Sequence, residues 1–323
     1  MIRTAVVGCG AFGRHHVRVY NQLDQVELAG VYDQNTGRAQ AVAREFGTRA
    51  FASLDELVAA ADAVSLATPT VTHAELACRL LEAGKDVLVE KPIAPSLAEA
   101  DRMIAAARAR DRVLMVGHLE RFNPAVRLIR PRLTRPLFFE VHRLSMFTPR
   151  SLDVDVLLDL MIHDLDIVLS FVGSPLEDLQ AVGLAVLSPH TDIANVRLQF
   201  ANGCVANLTA SRVSTEKVRK LRFFQPGEYI SLDYARRDAR IFSVAPGAGP
   251  TDMPGIHHQH LTGGGEEPLA EEISAFLDAV RTRQPPEVTG DDGRRALDAA
   301  LRCATAIAAH QQLLFTSTAA RQT

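Results

Sequence analysis

The sequence predicts a two-domain α/β protein, with a doubly wound parallel sheet first and then an α/β domain holding an open, largely antiparallel sheet. Three observations carry that reading. Residues 1 to about 120 alternate short apolar runs with helix-length segments, the rhythm of parallel βαβ units. From residue 138 onward the pattern changes to short strands separated by turn signals. At 323 residues the chain also exceeds the length at which a single hydrophobic core stops growing. The boundary is expected near residue 122, giving domains 1–122 and 123–323, with the last helices able to return to the first domain.

In the first domain the expected strands are 3–8, 26–33, 63–67, 86–90 and 113–117, with a weaker one near 49–52. They are rich in Val, Leu and Ala with little alternation, as suits strands buried on both faces. Between them lie helical patterns, and Ser96 with Glu99 forms a capping box ahead of the Ala-rich helix 96–110. A buried helix is expected over 155–172, and strands over 138–145, 179–187, 195–200, 204–211, 218–224, 229–234 and 240–244. Asn202-Gly203 is a hairpin signal between two of these strands. The Gly/Pro-rich stretch 245–268 predicts a long loop, and helices are expected over 269–283 and 290–314.

Composition sets the limits of function. Apolar residues make up 47% and charged residues 23%, an ordinary globular balance. A net charge of −3 gives no reason to expect nucleic acid or an anionic membrane as partner. Cys9, Cys78, Cys204 and Cys303 form no CxxC pair, which argues against a zinc site or disulfide framework and suits a reducing cytoplasm. No apolar stretch has signal-peptide or membrane-spanning character. The expected protein is cytoplasmic, without a membrane or nucleic-acid partner.

The first strand runs directly into Gly8-Cys9-Gly10-Ala11-Phe12-Gly13, a GxGxxG turn that opens a helix. In the Rossmann arrangement Gly8 permits the tight turn, Gly10 lets the backbone approach a pyrophosphate, and Gly13 lets helix and strand pack closely. The helix N-terminus offers its unpaired N–H groups, including those around Ala11 and Phe12, to the phosphates. Asp33 closes the second strand, where it can accept hydrogen bonds from ribose hydroxyls and repel a 2′-phosphate. NAD is therefore expected rather than NADP, although Arg38 lies close in sequence.

Glu90-Lys91-Pro92 ends the strand 86–90, and ligands of open α/β sheets bind beyond such strand ends. Lys91 is thereby a candidate to polarise a hydroxyl or carbonyl oxygen or to move its proton. In the apolar helix, Asp159, His163, Asp166 and Ser170 recur at helical spacing on one face. A histidine there suits proton exchange with an alcohol, and Asp159 can orient it or bind substrate. Asp159-x-x-x-His163 would also supply two metal ligands, but no third accompanies them, so no metal is expected.

These motifs together resemble the Gfo/Idh/MocA oxidoreductases: GCGAFG, Asp33, Ala67-Thr68-Pro69 with His73, Glu90-Lys91-Pro92, Arg121-Phe122-Asn123-Pro124 and Asp159-x-x-x-His163. The resemblance implies catalytic roles for Lys91, Asp159 and His163 at the reacting hydroxyl, with the choice of base between Lys91 and His163 left open. It places Thr68, Pro69, His73, Glu90, Lys91 and Arg121 around the cofactor and nicotinamide. It also implies an open sheet that lines the substrate cleft and commonly supports dimers or tetramers. One departure concerns the segment before the Asp, often Gly-rich in the family and here Val154-Asp155-Val156-Leu157-Leu158.

The segments 117–124, 158–169 and 210–214 resemble the branch that oxidises the 3-hydroxyl of UDP-N-acetylglucosamine to a ketone. A partner aminotransferase then aminates that ketone on the way to lipid A. Expected substrate contacts are Lys91, Arg121, Asn123, Asp159, His163 and Arg212. The basic run Arg212, Lys217, Arg219, Lys220, Arg222 offers charge-assisted hydrogen bonds to a diphosphate, and a solvated sheet face is the plainer account of most of it. His257, His258 and His260 are read as part of a surface loop without a ligand. A free-sugar or inositol dehydrogenase is the alternative enzyme, and an NAD-sensing binding module the alternative outside catalysis.

Overall fold

The computed structural model describes residues 1–147, 154–244, 255–265 and 267–319. The chain divides into two compact units: Met1–Phe122 with Glu266–Leu297, and Asn123–Gly265 with Asp298–Thr323.

The first unit is built on β1 (Ile2–Val7), α1 (Ala11–Gln22), β2 (Val26–Tyr32), α2 (Thr36–Phe46), α3 (Leu54–Ala60), β3 (Ala63–Leu66), α4 (His73–Glu82), β4 (Asp86–Glu90), α5 (Leu97–Ala109) and β5 (Leu114–Gly117). All five strands run parallel in the order β2-β1-β3-β4-β5. β3 is buried at every position, as its unbroken apolar pattern requires. The segment near residue 50 contributes only an isolated bridge, Val31 to Ala50, and not a strand. Asn35 caps α2 by accepting from the Arg38 N–H at 3.0 Å. Ser96 and Glu99 form the capping box of α5: the hydroxyl accepts from the Glu99 N–H at 3.3 Å and donates to its carboxylate at 2.8 Å. Such a cap is worth about 1 kcal/mol.

The second unit begins with α6 (Pro124–Ile129) and β6 (Phe138–Met146). A π-helical turn at Leu157–Met161 then continues into α7 (Ile162–Val172). Seven further strands follow: β7 (Leu176–Leu184), β8 (Ile193–Phe200), β9 (Val205–Ser214), β10 (Val218–Gln225), β11 (Glu228–Asp233), β12 (Asp238–Val244) and β13 (Ile256–Thr262). They form an eight-stranded sheet ordered β13-β12-β11-β10-β6-β9-β8-β7. Every neighbouring pair is antiparallel except β6 with β9. Asn202-Gly203 turns β8 into β9, with Gly203 at φ +83°.

β13 corrects the expected loop over 245–268. Residues 256–262 pair with β12 throughout, because a partner strand satisfies backbone groups that the Gly/Pro-rich flanks leave exposed. Residues 245–254 lie outside the described residues. The expected helix 155–172 is also corrected, since regular helix starts only at Ile162. Asp155 spends its carboxylate on the Thr191 N–H at 2.7 Å while the Val156 N–H donates to the Thr191 carbonyl at 3.0 Å. The entry is held to the sheet, and the first turn widens.

The chain closes with α8 (Pro268–Thr282) and α9 (Gly290–Ala319). In the first unit Arg283, just past α8, donates to the buried Asp86 at 2.8 Å, and Asp86 also accepts the Val113 N–H. In the second unit α7 and the later part of α9 cover one face of the sheet. Phe171 meets Phe223 edge-on at 6.1 Å, and Cys303 and Ile307 join the same core. The strand β8 alternates buried and exposed positions, as a sheet with one covered face demands. No helix among the described residues is long and apolar enough to cross a membrane.

Candidate active site

In the first unit a cleft of about 780 Å³ opens beyond the carboxyl ends of the strands. Gly8, Gly10, Ala11, Phe12, Asp33, Thr68, Pro69, Glu90 and Lys91 all line it. The glycines have distinct reasons. A Cβ on Gly13 would stand 1.8 Å from the Gly8 carbonyl oxygen, so helix and turn can meet only without a side chain. A Cβ on Gly10 would meet nothing within 4 Å, which leaves the backbone open toward the cleft. Gly10 starts α1 with no side-chain cap, so the first N–H groups remain available to an anion. The residues present therefore fit a dinucleotide pyrophosphate.

Asp33 is locked in place. Its carboxylate accepts the Cys9 N–H and the Asn35 N–H, both at 2.8 Å. Arg38 stands 3.6 Å from it and also lines the cleft. The Cys9 thiol is buried and pushed up to about 12, first by that burial and then by the Asp33 charge, so it has no nucleophilic role near neutrality.

At the other end of the cleft the Lys91–Pro92 peptide is cis. His73 sets this corner: its Nδ1 faces the Pro92 carbonyl at 3.0 Å and its Nε2 the Thr68 carbonyl at 2.9 Å. Burial lowers its pKa, against the opposing pull of those carbonyls. The imidazole thus acts as a brace between two loops. Thr72 donates to the Thr68 hydroxyl and the Pro69 carbonyl, each at 2.8 Å. Arg121 is buried in the 3₁₀ turn that follows β5, 3.6 Å from Asp292.

Glu90 belongs to a buried network that sequence reading missed. His16 Nε2 lies 2.8 Å from the Glu90 carboxylate, and its Nδ1 lies 3.1 Å from the Ser65 hydroxyl. The Tyr20 hydroxyl meets Ser65 at 2.9 Å. Glu272 of α8 completes the group, with one ligand atom each from His16, Glu90 and Glu272 inside a 4.8 Å span. Burial pushes Glu90 up, but the His16 hydrogen bond and the Lys91 charge bring it below the usual carboxylate range. Only the spacing of His16 after the glycine turn offered a signal; Glu272 carried none.

In the second unit Asp159 lies in the π-helical turn and His163 in the first turn of α7, both half-buried. Of the polar stripe, Asp166 is buried and Ser170 donates back to the Ile167 carbonyl at 2.8 Å. The stripe reading overlooked Asp164, whose carboxylate takes a bidentate fork from Arg143 at 2.6 and 2.9 Å, with both partners buried. Asn123 caps α6 through the Ala125 N–H at 3.1 Å and donates to the Tyr234 carbonyl at 3.2 Å. Arg212 is also buried; it donates to the Val154 carbonyl and lies 3.6 Å from Asp192. The rest of the basic run is more open, with Lys220 facing Asp233 at 4.0 Å and Arg222 facing Glu140 at 3.8 Å. His260 donates to Asp238 at 3.0 Å and His258 stacks on Phe242.

Comparison with known proteins matches residues 2–118 to the oxidoreductase family model described as an NAD-binding Rossmann fold, GFO_IDH_MocA. Residues 125–225 match the GFO/IDH/MocA C-terminal domain. The UDP-N-acetylglucosamine 3-dehydrogenase of Acidithiobacillus ferrooxidans is 41% identical over 312 residues, covering 96% of this chain and 99% of that protein. A solved structure of that enzyme superposes with a TM-score of 0.90, over 95% of this chain and 98% of its own. The myo-inositol 2-dehydrogenase of Thermotoga maritima is more distant, 25% identical over 92% of this chain and 93% of its own.

Proposed function

This chain belongs to the Gfo/Idh/MocA family of NAD-binding oxidoreductases, and on that premise we propose that it oxidises the 3-hydroxyl of UDP-N-acetylglucosamine to a ketone. The observation that carries the substrate is the 41% identity, over nearly the full length of both chains, to an enzyme named for that reaction. NAD, held at the glycine turn and Asp33, would supply the acceptor for the hydride of the carbinol carbon.

The protein's own groups do the rest. Gly8, Gly10, Ala11, Phe12 and Gly13 hold the pyrophosphate with backbone N–H groups, and Asp33 holds the adenosine ribose. Thr68, Pro69, His73 and Glu90 shape the nicotinamide end. The hydroxyl must lose its proton as the carbon loses hydride, and Lys91 and His163 are the two candidates to receive it. Asp159 orients the histidine and the sugar. Arg121 and Asn123 act as supports rather than free ligands, since both are buried and Asn123 is spent on a cap and a carbonyl. Arg212 likewise backs the substrate unit from within, while Lys220 and Arg222 share the open sheet face with Phe224 and pair with Asp233 and Glu140.

We further propose a cytoplasmic homo-oligomer whose ketone product passes to an aminotransferase in lipid A synthesis. Four buried, unpaired cysteines suit a reducing compartment. A row of rings crosses the sheet, from Phe138 through Phe224, Tyr229 and Phe242 to His258, with neighbouring centroids 4.6–5.8 Å apart. Phe224 is 37% exposed and Val244 51%, an apolar face that suits a second copy of this chain.

The test mixes the protein with NAD and a panel of UDP-sugars, hexoses and inositols, and follows the absorbance of reduced cofactor. Turnover confined to UDP-N-acetylglucosamine supports the reading. Preference for a free cyclitol moves it to the inositol dehydrogenases. Tight NAD binding without any turnover favours a sensing module.

A further inference from the structure

The network behind Lys91 contains one carboxylate too many. His16 and Glu272 are buried behind the half-buried Glu90, with Glu272 1% exposed. Among the described residues neither oxygen of Glu272 has a hydrogen-bond partner. Two carboxylates this close and this buried cannot both be ionised without a counterion. The hydrogen-bond directions decide which one keeps its charge. Tyr20 donates to Ser65, Ser65 to His16 Nδ1, and His16 Nε2–H to Glu90, the direction that leaves no donor idle. Glu90 is therefore the acceptor at the end of a chain, and it is followed directly by Lys91. The absence of a Cβ on Gly117, which would approach the Glu90 carboxyl to 3.2 Å, keeps room for it there.

We infer that Glu272 is a positioning residue that holds a proton: as a neutral carboxylic acid beside Glu90, it keeps a single negative charge behind Lys91. The inference rests on the reading of Lys91 as a reacting group. Burial, and then the charge of Glu90, push Glu272 well above the usual carboxylate range, as this requires. The other ionisable groups on the elements packed most closely against α8 are His16 and Tyr20, with the outward Arg14, His15 and Arg18, on α1, and Glu120 and Arg121 after β5. Tyr20 is itself pushed upward by burial, and Arg121 is committed toward Asp292. A proton suits the space better than a metal ion, because a metal would need the Nε2 lone pair that His16 turns into a donor toward Glu90.

The consequence is a defined alkaline behaviour. Once Glu272 ionises, it repels Glu90 and displaces the carboxylate that backs Lys91. The test compares wild type, E272Q and E272L as full-length proteins. In the infrared spectrum at neutral pH, wild type should show the carbonyl band of a protonated carboxylic acid that both variants lack. E272L should lose kcat about tenfold, because the Glu90 charge is then left against an apolar group in place of a polar one. E272Q, which keeps a neutral donor, should recover most of that loss and extend the alkaline limb of kcat/KM upward by about 1 pH unit.

Identical pH profiles for wild type and E272Q, or no band assignable to Glu272, would overturn the inference. So would a stoichiometric divalent metal in the purified protein that E272Q loses. The infrared band reads the proton without any substrate, so failure of the proposed activity and failure of this inference are separately visible.

Discussion

The backbone N–H of Cys9 donates to the carboxylate of Asp33 at 2.8 Å, tying the glycine turn to the end of the second strand. Asp33 therefore shapes the turn from the position proposed to read the cofactor. Its second oxygen holds the Asn35 N–H, and Arg38 waits 3.6 Å away.

Asp33→Ala removes the ribose acceptor and frees Arg38 toward a 2′-phosphate. The expected result is a loss of about 10- to 100-fold in kcat/KM with NAD, with a smaller loss or a gain with NADP. Paired kinetics with the two cofactors measure the change in preference. An unchanged ratio would remove Asp33 from cofactor selection.

Gly13→Ala tests the closeness of the turn. The new methyl would sit 1.8 Å from a backbone oxygen, which no rotamer can relieve. A destabilisation of about 3 kcal/mol or more is expected, together with loss of NAD binding. Denaturant unfolding and cofactor titration check the two effects.

Lys91→Met and His163→Ala address the chemistry. Each should lower kcat by about 100- to 10,000-fold and leave the Kd for NAD within about twofold. Fluorescence titration of NAD separates binding from turnover. Full activity in either variant would take that residue out of the reaction.

Asp192 supplies an acid-stability prediction. Burial alone would raise its pKa, but the Ser188 hydroxyl and the N–H groups of Leu187, Ser188 and Val186 hold it far below the usual carboxylate range. With the folded value depressed, its stabilisation is complete above the unfolded pKa of about 4 and fades as pH falls through the folded value. Asp192→Asn should cost about 2 kcal/mol at neutral pH. Its deficit relative to wild type should shrink in unfolding curves taken at progressively lower pH below 4.

Local chemistry was legible in the sequence. The glycine turn, Asp33, the Ser96 cap, the Asn202-Gly203 hairpin and the strand periodicities are governed by residues within one or two turns of each other, so their spacing is enough to read them. The family and its cofactor followed from that ordered set. What only the tertiary structure decided depends on contacts between distant segments. β13 forms because β12 offers a partner edge, and the first turn of the buried helix widens because Asp155 is held to Thr191. Arg212 is buried against Asp192 rather than presented on a solvated face. Glu272 meets Glu90 and His16 only because α8 docks on α1. The pairing of buried charges is set by where helices pack, and no local pattern records it.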